Sequence, residues 1–355
     1  MADLGSVLKA AVAQKASDIF LVVDQPPLVR FNGGMAVLQG FPPMNGQDTG
    51  RLILSSLFEE QRRILSENLE LDCTFTAPGL GRFRMNVTTQ QKGLHAVLRL
   101  IPPTIPTPEE LEFPEALSAL ADLPRGLVLV TGPAGSGRST TLLCLIEQIN
   151  RKRSAHIVTI EDPIEYFLTP RHSVICQREI GTHTKSYAAG LHSVLKQNAD
   201  VVLVGEILDR ESAEAVLHIA ESGPLVLSSM STTDSMHTVE RLVNLFPVEQ
   251  HRQIQLRVAS NLKAAISQVL LPKADGQGMV AAREILIMNP AIENAIREGK
   301  TPQIYPAIEA GAKQGMINMD RSILKLVRGK TVTAQAALEK SHHPESLQSA
   351  MAAIK

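Results

Sequence analysis

Apolar and polar positions along this chain follow two different rhythms. In residues 3–16, Leu4, Val7, Leu8, Ala11 and Val12 recur at the three-to-four spacing of a helix with one buried face. Short runs rich in β-branched and aromatic residues follow: DIFLVV, PLVRF, GRFRMNV and GLHAVLRL. Between them the pattern predicts an amphipathic helix over Thr49–Ser66. This mixture predicts a small α+β domain with an antiparallel sheet over residues 1–100. The segment IPPTIPTPEEL then places four prolines within seven residues, which neither a helix nor a central strand accepts. Residues 101–112 therefore read as a linker.

From Phe113 the rhythm becomes strand, then helix, repeated. The strands are GLVLVT (126–131), HIVTIE (156–161), ADVVLVGE (199–206) and PLVLSSM (224–230), separated by helical segments such as KSYAAGLHSVLKQ and RESAEAVLHIAES. Near-continuous apolar strands alternating with helices predict an α/β core with a parallel sheet over residues 113–288, its ligands at the strands' C-terminal ends. Beyond Phe246 the pattern predicts a helix over 248–270, a strand at MVAAREILIM (279–288), and a helical C-terminal region, 289–355. That region has helices at 290–299, 318–329 and 333–340, with SHHPES as a loose turn.

The first core strand runs into GPAGSGRST, the strand–loop–helix order of a phosphate-binding loop. Gly132, Gly137 and Ser139 satisfy G-x-x-x-x-G-K-[ST], but the lysine position holds Arg138. Glycines let several backbone N–H groups aim at phosphate oxygens, and the helix N-terminus adds the positive end of its dipole. Gly132, Pro133, Ala134, Gly135, Ser136, Gly137, Arg138, Ser139 and Thr140 are thus the candidate nucleotide-binding residues, with Ser139 placed to ligate Mg2+. Two acidic clusters close the next strands: Glu161, Asp162 and Glu165, then Glu206 with Asp209. Triphosphate hydrolysis needs a carboxylate to orient water and another near the metal, so these are candidates for catalysis. Any one of them could instead cap a turn.

Composition removes several classes. Across 355 residues the formal net charge is −1, which gives no global pull toward nucleic acid or anionic lipid. With no Trp and three Tyr there is no stacking platform for single strands. Cys73, Cys144 and Cys176 lack metal-ligand spacing and read as buried thiols in a reducing compartment. The N-terminus lacks a signal-peptide pattern, and no uncharged apolar run approaches about 18 residues. The expectation is a soluble cytoplasmic protein that binds no nucleic acid.

TIEDPIEY, QREIGT, VGEILDRES, AESGPLVLSS, RLVNLFP and AIENAIREGK resemble the marker segments of the PilT-like secretion ATPases. SDIFLVVDQPPLVRFNG and GRFRMN extend the resemblance to about residues 17–320. These proteins are hexameric motors that power retraction of type IV pili and twitching motility. The resemblance implies a PAS-like N-terminal domain, a RecA-like P-loop core, and ATP with Mg2+ at the subunit interfaces of a six-membered ring. It also implies a pilus platform protein of the inner membrane as partner, at that membrane's cytoplasmic face. It makes Glu165 the catalytic carboxylate and Glu206 the atypical Walker B residue, acting indirectly on the metal. It matches Arg82, Arg84 and Arg99 to arginines that reach the nucleotide phosphates; strand-face surface charge is the equal alternative for each.

Against that pattern Arg138 replaces the loop lysine, Pro224 and Ser231 replace the two histidines of the His box, Leu208 replaces a basic residue, and Glu293 an arginine. Arginine's planar fork does not substitute for a compact ammonium. His237 falls on the following helix, as a surface residue. The sequence therefore predicts a ring-forming, nucleotide-binding fold with weakened or lost hydrolysis, acting in a homohexamer or in a mixed ring with an active paralogue. A competent retraction ATPase and a nucleotide-gated assembly subunit are the alternatives.

Overall fold

The computed structural model describes residues 3–31, 34–101 and 104–353. Pro102 and Pro103 of the expected linker, and Asn32 and Gly33, lie outside the described residues. The chain divides into two compact units, one of Met1–Thr104 with Pro163–Phe167 and one of Ile105–Asp162 with Leu168–Lys355.

The first unit is built on a six-stranded sheet of β1 (Asp18–Leu21), β2 (Leu28–Phe31), β3 (Gly34–Val37), β4 (Glu70–Ala77), β5 (Gly81–Gln90) and β6 (Gly93–Ile101). Its order is β3-β2-β1-β6-β5-β4, and the described pairings are antiparallel. Period-two alternation sends Phe83, Met85 and Val87 of β5 inward, into the core that also holds Val7, Leu8 and Ala11 of the helix Leu4–Ala13. The same alternation turns Arg82 and Arg84 to the opposite face. Sequence reasoning missed β3, whose four residues are all exposed, and β4, where Glu70 and Asp72 interrupt the apolar positions.

The helix expected over Thr49–Ser66 is two helices, Gly46–Leu54 and Glu59–Asn68. Ser55 and Ser56 turn their hydroxyls onto the Leu52 and Ile53 carbonyls, at 2.7 and 2.8 Å, at the point where the first helix stops. Such local bonds compete with helix propagation. The second helix restarts with the Phe58 N–H donating to Gln61.

The second unit carries a seven-stranded sheet of β7 (Gly126–Thr131), β8 (His156–Glu161), β9 (Val174–Glu179), β10 (Val201–Val204), β11 (Leu225–Met230), β12 (Leu262–Pro272) and β13 (Met279–Ile287). The order is β13-β12-β7-β11-β10-β8-β9, parallel except that β13 runs against β12. β7, β10 and β11 are buried at every residue, as strands covered on both faces must be.

The helix expected over 248–270 stops at Asn261, and β12 follows it directly. The mostly apolar LKAAISQVLLP has its polar Lys263, Ser267 and Gln268 at a spacing that a helix also accommodates, so burial beside β7 decides what the run itself leaves ambiguous. SHHPES is not a loose turn alone: it opens the helix Pro344–Ala352, with proline in the first turn. That helix packs Leu347 into a small core with Leu271, Ala282, Met319 and Ile323. Cys73 and Cys144 are buried, but Cys176 is only half-buried. Among the described residues no helix is long and apolar enough to cross a membrane.

Glu284 of β13 is buried and accepts from the Ser235 N–H at 2.8 Å, at the start of the helix Ser235–Asn244. Burial raises its carboxyl above the ordinary value of 4.5. A folded pKa above the unfolded one means that wild-type stability is fullest below about pH 4.5 and declines as pH rises through the folded value. Glu284→Gln keeps the acceptor without the charge. It is expected to match wild type in urea unfolding at pH 4 and to exceed it by about 1 kcal/mol at pH 7. An equal difference at both pH values would exclude this cause.

Candidate functional site

β7 ends at Thr131, the loop occupies Gly132 to Gly137, and the helix Arg138–Lys152 begins at once. Gly132 has φ +146°, and a Cβ there would lie 2.3 Å from the Gln268 carbonyl oxygen and 2.5 Å from Ser136 Oγ. Glycine is therefore required by space as well as by conformation. Gly137, at φ +86°, turns the chain into the helix. Gln268 of β12 clasps both sides of the turn. Its Nε2 donates to the Ser136 carbonyl at 2.7 Å, and its Oε1 accepts from Thr141 Oγ1 at 3.0 Å. Beside it Ser267 and Thr131 join their hydroxyls at 2.7 Å. Reading 248–270 as helix hid this clasp; the signal was the polar pair Ser267-Gln268 inside an apolar run.

The loop has the features a phosphate needs. The hydroxyl of Ser136 is buried and lacks a hydrogen-bond partner among the described residues. Ser139 is exposed on the first turn of a 15-residue helix, where N–H groups and the dipole favour an anion. A cavity of about 210 Å3 opens beside Ser136, Gly137 and Thr140, walled by Leu270, Lys273 and Met279. Magnesium typically takes one or two protein oxygens and completes its shell with water and phosphate. Ser139 and Glu206 fit that demand, and among the described residues no cluster of three or more His, Cys, Asp or Glu offers a metal cage.

Arg138, Glu206 and Ser231 meet at the C-terminal ends of adjacent strands. Arg138 Nη1 donates to Glu206 Oε1 and to Ser231 Oγ, each at 2.8 Å, and the Ser231 hydroxyl donates to the same Glu206 oxygen at 2.6 Å. Glu206 follows β10 through Gly205, whose carbonyl accepts from Ser229 Oγ at 2.7 Å. Pro224 lies elsewhere: it precedes β11, and its carbonyl accepts from the Gly126 N–H at the start of β7. Of the two replaced His-box positions, Ser231 therefore stands at the strand end with Arg138, whereas Pro224 lies a strand's length away from the phosphate loop. Leu208 is exposed on the turn after Glu206. Glu293 pairs with Arg297 on the helix Pro290–Arg297. His237 is on the next helix, bonded to its capping Asp234.

The other carboxylates divide by role. Glu161 is buried and accepts from Thr159 and Gln177, at 2.6 and 3.1 Å, as a fixed part of the sheet end. Asp209 caps the helix Arg210–Ser222, and the Ser212 N–H holds its carboxyl below the usual range. Glu165 belongs to the first unit. Burial raises its carboxyl, while Arg84 and Arg99 pull it the other way. Arg84 donates to Asp72 at 2.5 Å and lies 3.4 Å from Glu165. Arg99 pairs with Asp18 at 2.8 Å, and Arg82 stacks over Phe167 at 3.9 Å while donating to Thr74. Arg84 and Arg99 face each other across β5 and β6, a like-charge register that these carboxylates offset.

Residues 2–302 match a family profile described as type II/IV secretion system protein. Two proteins of Pseudomonas aeruginosa are similar over nearly the whole chain. The type IV pilus retractation ATPase PilT is 39% identical, over 97% of this chain and 99% of that one. The type IV pilus ATPase PilU is 34% identical, over 95% and 88%. A crystal structure of the pilus retraction motor PilT with bound ADP superposes with a TM-score of 0.90 at 39% identity, covering 98% and 99% of the two chains.

Space and conformation at the loop glycines give an ordered prediction. Gly132→Ala meets both a backbone oxygen and a positive φ, whereas at Gly135 a Cβ enters open space and only the φ of +77° opposes it. Gly135→Ala is expected to cost about 1 kcal/mol in urea unfolding and Gly132→Ala distinctly more. The reverse order would mean that the Gln268 contact does not set the loop.

Proposed function

The chain is a PilT-like member of the type II/IV secretion system protein family, with a RecA-like core, and we propose that it is an ATP-binding subunit of a type IV pilus retraction motor whose hydrolysis is weakened. The observation that carries this reading is the site itself. The glycine cradle and helix start of a phosphate loop are intact, while its only cation, Arg138, is engaged with Glu206 and Ser231. Backbone N–H groups of the loop and helix would hold the phosphates, and Ser139 with Glu206 would hold hydrated Mg2+. That ion would supply charge neutralisation at the transferring phosphoryl group. Glu165 would act as the catalytic carboxylate, kept basic by its burial. Arg82, Arg84 and Arg99 would serve the phosphates in an assembled ring.

A hexameric ring, alone or mixed with an active paralogue, is the assembly we propose. It would act at the cytoplasmic face of the inner membrane, through a pilus platform protein. The presence of PilT and PilU side by side in one organism supports a paired arrangement. A second reading, a fully competent retraction ATPase, is favoured by the intact loop and by the positive charge that Arg138 retains.

Steady-state ATP turnover with Mg2+ separates the two. Wild type is expected to turn over well below about 1 s−1, and Arg138→Lys to raise the rate about 10²-fold. Pro224→His is expected to leave it unchanged, since Pro224 is at the far end of its strand. Wild-type turnover at a motor's ordinary rate, with no gain from Arg138→Lys, would establish the competent enzyme instead.

A further inference from the structure

Side chains from one helix start and the ends of two strands close a ring of hydrogen bonds. Arg138 Nη1 donates twice, to the Glu206 carboxylate and to the Ser231 hydroxyl, and that hydroxyl donates back to the same carboxylate oxygen. The serine bonds both members of a direct arginine–carboxylate pair and so fixes which way the guanidinium faces. The pair is partly shielded, with side-chain exposures of 15% for Arg138 and 27% for Glu206. Charge pairs at that depth are screened less than surface pairs.

A phosphate entering the loop finds its cation already satisfied by a carboxylate 2.8 Å away. Two anionic groups then share one guanidinium, and the fork's fixed geometry ties the remaining donors to the direction that Nη1 has taken. A lysine ammonium, which rotates freely and is a point charge, escapes this constraint more readily. A serine also suits the arrangement because one small hydroxyl accepts from the arginine while donating to the glutamate.

We propose that Ser231 is a positioning residue that locks Arg138 onto Glu206, so that the carboxylate acts as a built-in competitor of nucleotide phosphate. Resting on the nucleotide-binding reading, this names a reason for a weak site: the cation is withheld from the phosphates by residues of the same chain. The lock predicts that loosening either partner tightens nucleotide binding, the reverse of what removing ordinary binding residues does. It predicts further that the gain requires the guanidinium.

The test is calorimetric titration of the full chain with ADP in excess EDTA, so that no divalent cation contributes. Ser231→Ala is expected to lower Kd about threefold and Glu206→Gln about tenfold, while Ser231→Thr, which keeps the hydroxyl, stays at the wild-type value. In an Arg138→Met background the Ser231→Ala gain should vanish. Thermal unfolding identifies any variant that does not fold; Glu206→Gln and Ser231→Ala probe the same ring, so either suffices. Unchanged or weaker binding on loosening, or an equal gain without the guanidinium, would overturn the lock. If wild type binds ADP but the cycle is flat, the lock alone fails. If neither wild type nor any variant binds, the nucleotide-binding function fails with it.

Discussion

The clasp of Gln268 on the phosphate loop is the contact on which the site depends. One amide side chain on β12 accepts from Thr141 in the helix and donates to Ser136 in the turn, while its own backbone carbonyl sits where any Cβ on Gly132 would be. This works only because β12 runs parallel to β7, so that Ser267 stands opposite Thr131 at the point where the turn begins. The buried strands supply the rigidity. β7 is covered on both sides, and its end cannot shift without opening a close-packed core. Loop conformation, helix start and strand register are therefore one constraint seen from three elements.

Within each unit the charges that bear on function are paired locally. Arg138 faces Glu206, Arg84 faces Asp72 and Glu165, and Arg99 faces Asp18. In the first unit the pairings follow from strand register: Asp18 is the direct partner of Arg99, and β4 and β5 bring Asp72 beside Arg84. In the second unit they follow from sheet order, which sets β10 beside β11 and β11 beside β7. Elements distant in sequence so deliver an acid, a hydroxyl and a base to one edge.

The strand–loop–helix at 126–152 was legible because its signals are local. An apolar run, positive-φ glycines and an amphipathic helix each act within a few residues. The α/β class and the antiparallel first sheet were legible for the same reason. What was misplaced shares a different cause. β12 is a mostly apolar run whose polar positions suit a helix as well, β3 is an exposed edge strand, and the break at Ser55 and Ser56 depends on two hydroxyls choosing carbonyls over solvent. The motif string 224–231 does not show that its two ends lie at opposite ends of a strand, which separates Pro224 from Ser231.

The sequence by itself determined that this chain carries a phosphate loop with arginine in the lysine position, on an α/β core of a family that the comparisons bear out. It named Arg138, Glu206 and Ser231 one by one. Only the tertiary structure decided that the three are bonded to one another, and that Gln268 fixes the loop beside them. The physical reason is range. Backbone conformation and periodicity are encoded within a turn or two of chain, whereas hydrogen bonds between residues 25 to 132 positions apart exist only once the sheet order has set strand ends side by side.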